Sequence, residues 1–213
     1  MKRVVITGGT GGLGSAISGK FRETGWDVNC LGRKDLDLSD AAAVKAFFAG
    51  AGCDLLVCAA GIIRDQPVAR MTESEWDEVF GVNFSAARRC AEAALPGMVQ
   101  RGAGHVIFIS SYAALRPAQG QAAYATAKAA LLGLTKGLAE EYGTRGVRVN
   151  AVLPGFLETP MTSAVSEKRK EVIRDLHFLE RFNTVETAAE FVWFLEEKMP
   201  AASGQAYSLD SRP

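Results

Sequence analysis

The first fifteen residues constrain this chain more than any other stretch. A short β-branched run, Val4-Val5-Ile6-Thr7, leads into Gly8-Gly9-Thr10-Gly11-Gly12-Leu13-Gly14, and Ala16-Ile17-Ser18-Gly19-Lys20-Phe21 follows with helical spacing. Strand, glycine-rich turn and helix in direct succession is the context that a phosphate-cradling turn requires. Gly8 and Gly12 let the backbone approach a pyrophosphate, and Gly14 lets the helix pack closely on the strand. The free amides and positive dipole end of that helix then face the phosphates. A flexible glycine loop with no ligand is the plain alternative, and the flanking strand and helix argue against it.

Strands alternate with helices along the rest of the chain. The patterns predict strands near 3–7, 27–31, 54–59, 105–110, 147–152 and 206–209, with helices near 13–24, 40–49, 73–101, 121–142, 166–174 and 185–197. Apolar, β-branched strands separated by helices imply a parallel sheet covered on both faces. The expected fold is therefore α/β, a Rossmann-type doubly wound sheet forming one domain over residues 1–213. Pro96 falls inside the long helix expected over 73–101 and should kink or break it near Leu95-Pro96-Gly97.

Charge and cysteine content narrow the function classes. Lys plus Arg and Asp plus Glu number 24 each, so the net charge is zero and nothing points to nucleic acid. No apolar run approaches the ~20 residues needed to span a bilayer. The first strand starts almost at Met1, which leaves no room for a signal peptide and gives a cytoplasmic expectation. Cys30, Cys53, Cys58 and Cys90 lack metal-type spacing and read as reduced thiols in or near the core. With only His105 and His177 present, no histidine-based metal site is expected.

The chemistry-bearing feature is Tyr124-Ala125-Thr126-Ala127-Lys128, where helical spacing puts phenol and ammonium on one face. A free tyrosine has a pKa of about 10, and a neighbouring cation is expected to lower it toward working pH. Ser111 lies thirteen residues before the tyrosine, after the apolar run Val106-Ile107-Phe108-Ile109. A hydroxyl there can hold a carbonyl oxygen beside the phenol. Taken alone, a tyrosine and lysine at this spacing, or a serine at a strand end, is commonplace.

Together these features resemble the short-chain dehydrogenase/reductase family over the whole length of the chain. Thr7-Gly8-Gly9-Thr10-Gly11-Gly12-Leu13-Gly14 is similar to its cofactor turn, and Cys58-Ala59-Ala60-Gly61 stands where it has Asn-Asn-Ala-Gly. Val82-Asn83-Phe84 matches its helical asparagine; Ser111, Tyr124 and Lys128 match its catalytic trio; Pro154-Gly155-Phe156-Leu157-Glu158-Thr159 matches its nicotinamide-gripping segment. The resemblance implies that Tyr124 donates a proton to a ketone oxygen while hydride reaches the carbon. Lys128 keeps the phenol acidic and holds the nicotinamide ribose, Ser111 binds the carbonyl, and Asn83 holds a water of a proton relay. It also implies cofactor contacts from Thr7, Gly8, Thr10, Gly12, Leu13, Gly14, Asp37, Leu38, Ala59, Ala60, Gly61, Tyr124, Lys128, Pro154, Gly155, Leu157 and Thr159. A buried asparagine stitching its helix to a neighbour is a compatible reading of Asn83.

One departure stands out. Where the family has a helix and a third strand, Leu31-Gly32-Arg33 is followed three residues later by Leu36-Asp37-Leu38, roughly twenty residues short of a full βαβ unit. Leu36 to Leu38 is expected to be a vestigial edge strand beside a more open adenine pocket. Gly32 occupies the place of the carboxylate that would favour NAD(H), and Arg33, assisted by Lys34, can pair with a 2′-phosphate. NADP(H) is thus expected over NAD(H), with solvated loop charges as the alternative reading of Arg33 and Lys34.

Gly61-Ile62-Ile63-Arg64-Asp65 and the stretch from Pro154 to Asn183 resemble the bacterial 3-oxoacyl-[acyl-carrier-protein] reductases. Lys168, Arg169, Lys170 and Arg174 could meet an acidic carrier protein or a phosphopantetheine phosphate, or simply form the solvated face of a helix. A reductase of free ketones, sugars or steroids and a non-catalytic nucleotide-sensing protein are the other readings. The resemblance further implies a homodimer or homotetramer, built on the helices near 73–101 and 121–142 and on the last strand. The family's final Gly-Gly is replaced here by Ser211-Arg212.

Overall fold

A computed structural model describes residues 1–213. Six strands form one fully parallel sheet: β1 (Arg3–Thr7), β2 (Asp27–Leu31), β3 (Leu55–Cys58), β4 (Gly104–Ile109), β5 (Val147–Leu153) and β6 (Ala206–Ser208). Their order is β2-β1-β3-β4-β5-β6. The chain runs outward from β1 to β2, then crosses back to place β3 on the other side of β1. The carboxyl ends of β1 and β3 therefore flank the switch point, where doubly wound sheets bind ligands.

Alternation along each buried strand sends side chains to two separate cores. Val5, Leu56, Val106, Phe108 and Val149 meet α2 (Ala41–Gly50), α4 (Ala86–Arg101) and α5 (Ala122–Tyr142) on one face. Val4, Ile6, Leu55, Val57 and Ile107 meet α1 (Gly12–Glu23) and α7 (Val185–Lys198) on the other. Ile17 and Phe21, one helical turn apart on α1, are fully buried, and such burial is worth about 1.5–3 kcal/mol per side chain. Both faces are covered, as the strand patterns predict.

Local signals set the helix ends. The Asp40 carboxylate caps α2 by accepting from the Ala42 and Ala43 amides. A reciprocal Thr72–Glu75 capping box opens α3 (Glu73–Phe80). Gly102 closes α4 at φ +65°, and Ser166 and Thr184 cap α6 (Glu167–Asp175) and α7. No helix is long and apolar enough to cross a membrane.

Two expectations fail in instructive ways. Leu36 to Leu38 forms no strand: Gly32–Asp40 is a run of turns leading straight into the Asp40 cap, so β2 is the edge of the sheet. Nothing extends beside it because the Asp37 carboxylate accepts from the amide and hydroxyl of Ser39, curling the chain locally. The helix expected over 73–101 is interrupted, but not at Pro96. α4 runs through Pro96 to Arg101, whereas Gly81–Ser85 forms a π-turn between α3 and α4. Pro96 and Glu92, the residue whose carbonyl loses its partner, both face solvent, where water satisfies that carbonyl.

Candidate active site

The glycine turn is shaped by close approach. Gly8 has φ +67°, and a Cβ there would stand 2.7 Å from the Ala60 amide nitrogen. A Cβ on Gly14 would stand 2.2 Å from the Gly8 carbonyl oxygen, so only glycine lets α1 start this close to the turn. The Ala59 amide donates to the Thr7 carbonyl at 3.1 Å, and the Ala60 amide reaches the Thr7 hydroxyl at 3.4 Å. These bonds tie the ends of β1 and β3 together around the crevice. Gly11 precedes α1 without a side-chain cap, which leaves the first helical amides for an anion. A Cβ on Gly12 would meet the Thr159 side chain at 2.8 Å, so Pro154–Thr159 forms the facing wall. A tight, glycine-rich turn at an uncapped helix start fits a dinucleotide pyrophosphate.

On the β4 side, three elements converge. Ser111 ends the turn after β4, and its Oγ accepts from the Ala113 amide at 3.1 Å. That leaves the hydroxyl proton free to donate to a substrate oxygen. Tyr124 and Lys128 project from the first turns of α5. Lys128, only 4% exposed, donates from Nζ to the Ile109 carbonyl at 2.8 Å and lies 5.8 Å from the Tyr124 ring centre. Burial pushes its pKa down to about 8. Asn83 enters from the π-turn, where one extra residue per turn aims its amide inward. Its Nδ2 donates to the Ile62 and Val79 carbonyls, and its Oδ1 accepts from the Ile62 amide. A Cβ on Gly61 would stand 2.8 Å from Asn83 Oδ1 and 3.6 Å from Lys128 Nζ. Gly61 is thus what lets the two side chains approach each other.

The expected lowering of the phenol is absent. Burial pushes the Tyr124 pKa up, the Ser111 hydroxyl pulls it partly back, and the Asp65 carboxylate raises it further. The Lys128 ammonium is itself turned to the Ile109 carbonyl. Like a free phenol, Tyr124 therefore keeps its proton near neutral pH, the form a proton donor needs.

The β2 side is looser. Arg33 and Lys34 are exposed in the Gly32–Asp35 turn. Asp37 is spent on Ser39, and the Leu38 carbonyl accepts from Arg89. The sequence did not single out Asp35, whose carboxylate accepts from the Gly32 amide at 2.7 Å. Nor did it single out the Ile109 carbonyl, or Asp65 held by Gln121 at 3.0 Å; backbone acceptors and long-range fields leave no sequence signature. Pro154, Gly155 and Leu157 lie in the wall after β5, with Gly155 at φ +85°.

The family model described as enoyl-(acyl carrier protein) reductase matches residues 34–211. A 3-oxoacyl-[acyl-carrier-protein] reductase from Chlamydia muridarum is 33% identical over 237 aligned positions, covering 98% of this chain and 96% of the relative. That alignment is longer than this chain, so the relative carries segments missing here. The corresponding Staphylococcus aureus reductase is 34% identical, covering 96% of this chain and 94% of its own length. Among solved structures, a short-chain dehydrogenase/reductase from Burkholderia thailandensis superposes with a TM-score of 0.90 at 30% identity, covering 99% and 91% of the two chains. A protein described as an NAD(P)-dependent gluconate 5-dehydrogenase from Beutenbergia cavernae, with NADP bound at low occupancy, also gives 0.90, at 28% identity and 99% and 95% coverage. By sequence, fold and the layout of its cleft, the chain belongs to the short-chain dehydrogenase/reductase family of NAD(P)-dependent oxidoreductases.

Proposed function

We propose that this protein reduces a 3-oxoacyl thioester to its 3-hydroxy form, using NADP(H) in preference to NAD(H). The observation that carries the reading is the protonated Tyr124 phenol flanked by the Ser111 hydroxyl and the Lys128 ammonium. When bound, the nicotinamide supplies hydride to the ketone carbon. Ser111 donates a hydrogen bond to the carbonyl oxygen, and Tyr124 delivers its proton there as negative charge develops. Lys128 offsets the phenolate that remains and holds the nicotinamide ribose. Asn83 fixes Ile62 and the π-turn beside Lys128, where a water of the relay would sit. Thr7, Gly8, Thr10, Gly12, Leu13 and Gly14 hold the pyrophosphate. Ala59, Ala60 and Gly61 line the ribose side, and Pro154, Gly155, Leu157 and Thr159 orient the carboxamide.

Arg33 and Lys34, exposed and paired with no carboxylate, support NADP(H), since a 2′-phosphate gives each a strong partner. The carboxylate that follows them in the chain, Asp35, turns back to the Gly32 amide. Two features support an acyl thioester: the names of the relatives, and the segment around α6, where Val172, Leu176, Phe178 and Leu179 are exposed beside Lys168 and Arg169. Of the four basic residues there, Lys170 is paired with Glu158 and Glu167, and Arg174 stacks on Phe182. Contact with an acidic carrier protein therefore falls to Lys168 and Arg169. Open space beside Gly133 and Gly137 on α5 suits close packing against a second copy, as in a homodimer or homotetramer.

The test follows nicotinamide absorbance with acetoacetyl-CoA, using NADPH and NADH in parallel. Turnover confined largely to NADPH is the expected result. NADPH binding without thioester turnover overturns the substrate and leaves the free-ketone reductase, a reading favoured by the similarity to the Beutenbergia protein.

A further inference from the structure

The segment after β6 is placed where three walls of the site meet. Asp210 has a side chain only 1% exposed, and a buried carboxylate is costly unless paired. Arg212 supplies the pairing: its Nε donates to Asp210 Oδ2 at 2.9 Å, Nη2 reaches the same oxygen, and its amide approaches Oδ1 at 3.3 Å. The other nearby cation-capable group, His177 Nε2, stands 3.8 Å away and makes no hydrogen bond. Neutralisation of Asp210 therefore rests on Arg212.

The same guanidinium sits over the Tyr112 ring, 3.7 Å from its centre, and the Tyr112 hydroxyl donates to the Pro213 carbonyl at 2.9 Å. Tyr112 follows Ser111 directly and opens the short 3₁₀ turn whose Ala113 amide donates to Ser111 Oγ. Asp210 also backs Gly155, where a Cβ would stand 2.6 Å from the Asp210 Cβ. Between these two, the carbonyl and hydroxyl of Ser211 accept from the Phe178 and Leu179 amides after α6. Phe182, on the same segment, packs 4.5 Å from Phe156. The guanidinium thus joins the turn that aims Ser111 to the Asp210 that backs the Gly155 wall, and the adjoining Ser211 ties in the exposed apolar segment at 176–179.

We propose that Arg212 is a positioning residue: by clamping Tyr112 to Asp210, it fixes the Ser111 hydroxyl relative to the Gly155 wall. The inference rests on the proposed reading of Ser111 as the carbonyl-binding group. Only arginine fills the role, because a planar guanidinium can donate in its plane to a carboxylate while its face stacks on a ring. A lysine keeps the charge beside Asp210 but loses the stack. Sub-ångström drift of a catalytic donor is enough to lower turnover by roughly 10-fold or more.

The experiment compares Arg212→Lys, Tyr112→Leu and Arg212→Ala with the parent, and repeats Arg212→Lys in a Ser111→Ala background. Arg212→Ala strands a buried carboxylate and can fail to fold; the other two variants leave Asp210 with its cation. For Arg212→Lys and Tyr112→Leu, kcat is expected to fall roughly 10-fold, with the NADPH dissociation constant within about twofold of the parent. In the Ser111→Ala background, Arg212→Lys should cost almost nothing more, because both changes remove one interaction. The proposal is overturned by kcat and KM within twofold of the parent in both variants. Losses that simply multiply with Ser111→Ala, or that match a loss of nucleotide-binding protein, overturn it too. If the parent itself turns over no thioester, the failure belongs to the substrate reading, and amide hydrogen exchange decides about Arg212. Faster exchange at Ala113 together with Phe178 and Leu179 in Arg212→Lys supports the clamp, and an unchanged Ala113 overturns it.

Discussion

Around Tyr124, groups from the ends of β3, β4 and α3 and from the start of α5 close on one another, and Asn83 and Lys128 are almost wholly buried. Around Arg33, one exposed turn carries two cations into solvent, ordered by two local hydrogen bonds between Gly32 and Asp35. In the first region Lys128 and Asn83 are held by Ile109 and Ile62, distant in the chain, so their geometry is fixed before any ligand arrives. The second is held by neighbours along the chain, and the shortened link between β2 and α2 leaves no third strand to brace it. The groups proposed for chemistry therefore sit where long-range contacts accumulate, and the cations proposed to select the nucleotide sit where the chain has been cut back to a turn.

The sharpest way to break this contrast is Tyr124→Phe. Loss of the proton donor should lower turnover by about 10²–10⁴-fold while NADPH binding, followed by fluorescence, stays near that of the parent. A merely modest loss would contradict the assignment. Gly14→Ala attacks the fixed region through its backbone. With only 2.2 Å between the new Cβ and the Gly8 carbonyl, the turn must shift at a cost on the order of 3 kcal/mol. Calorimetry should show both a lower unfolding temperature and weakened nucleotide binding. Retention of tight binding would show that the turn is more tolerant than its geometry implies.

Lys128→Met separates function from stability. The folded-state pKa of Lys128 is depressed to about 8 from 10.5. The unfolded chain thus binds more protons between those values, and stability should rise with pH across that window. Below about pH 8 the cost of burying the charged amine is fully present. Replacing it should stabilise the protein near neutrality, by on the order of 1–3 kcal/mol once the lost Ile109 bond is counted, while turnover collapses. That gain should fade as pH rises above 8 in denaturant titrations; a pH-independent difference would rule out the buried charge as its cause. The smallest effect belongs to the exposed turn. Arg33→Ala should weaken NADPH binding by about 3- to 10-fold, the scale of one exposed charge-assisted contact, and leave NADH unchanged. Equal losses for both nucleotides would remove Arg33 from any role in selectivity.

Much of this was legible in the residues because the signals are local. The strand alternation, the turn that only glycine permits at Gly8 and Gly14, and the four-residue spacing of Tyr124 and Lys128 depend on backbone sterics and helix period, which a linear chain carries in itself. Signals read over too short a range misled. Leu36 to Leu38 has strand-like residues but nothing to pair with, and Asp37 and Asp40 turn it into a cap. Pro96 reads as a helix breaker, yet its solvent-facing position lets α4 continue.

By itself the sequence determined the parallel sheet and its glycine turn and supplied the groups proposed to surround the reacting carbonyl, since periodicity and steric limits act within a few residues. Only the tertiary structure decided that burial raises the Tyr124 pKa, that Lys128 is depressed and turned to Ile109, that Asn83 reaches the site through a π-turn, and that Arg212 joins Tyr112 to Asp210. Those properties depend on burial and on partners distant in the chain, and desolvation and electric fields are set by what folds around a group rather than by its neighbours in sequence.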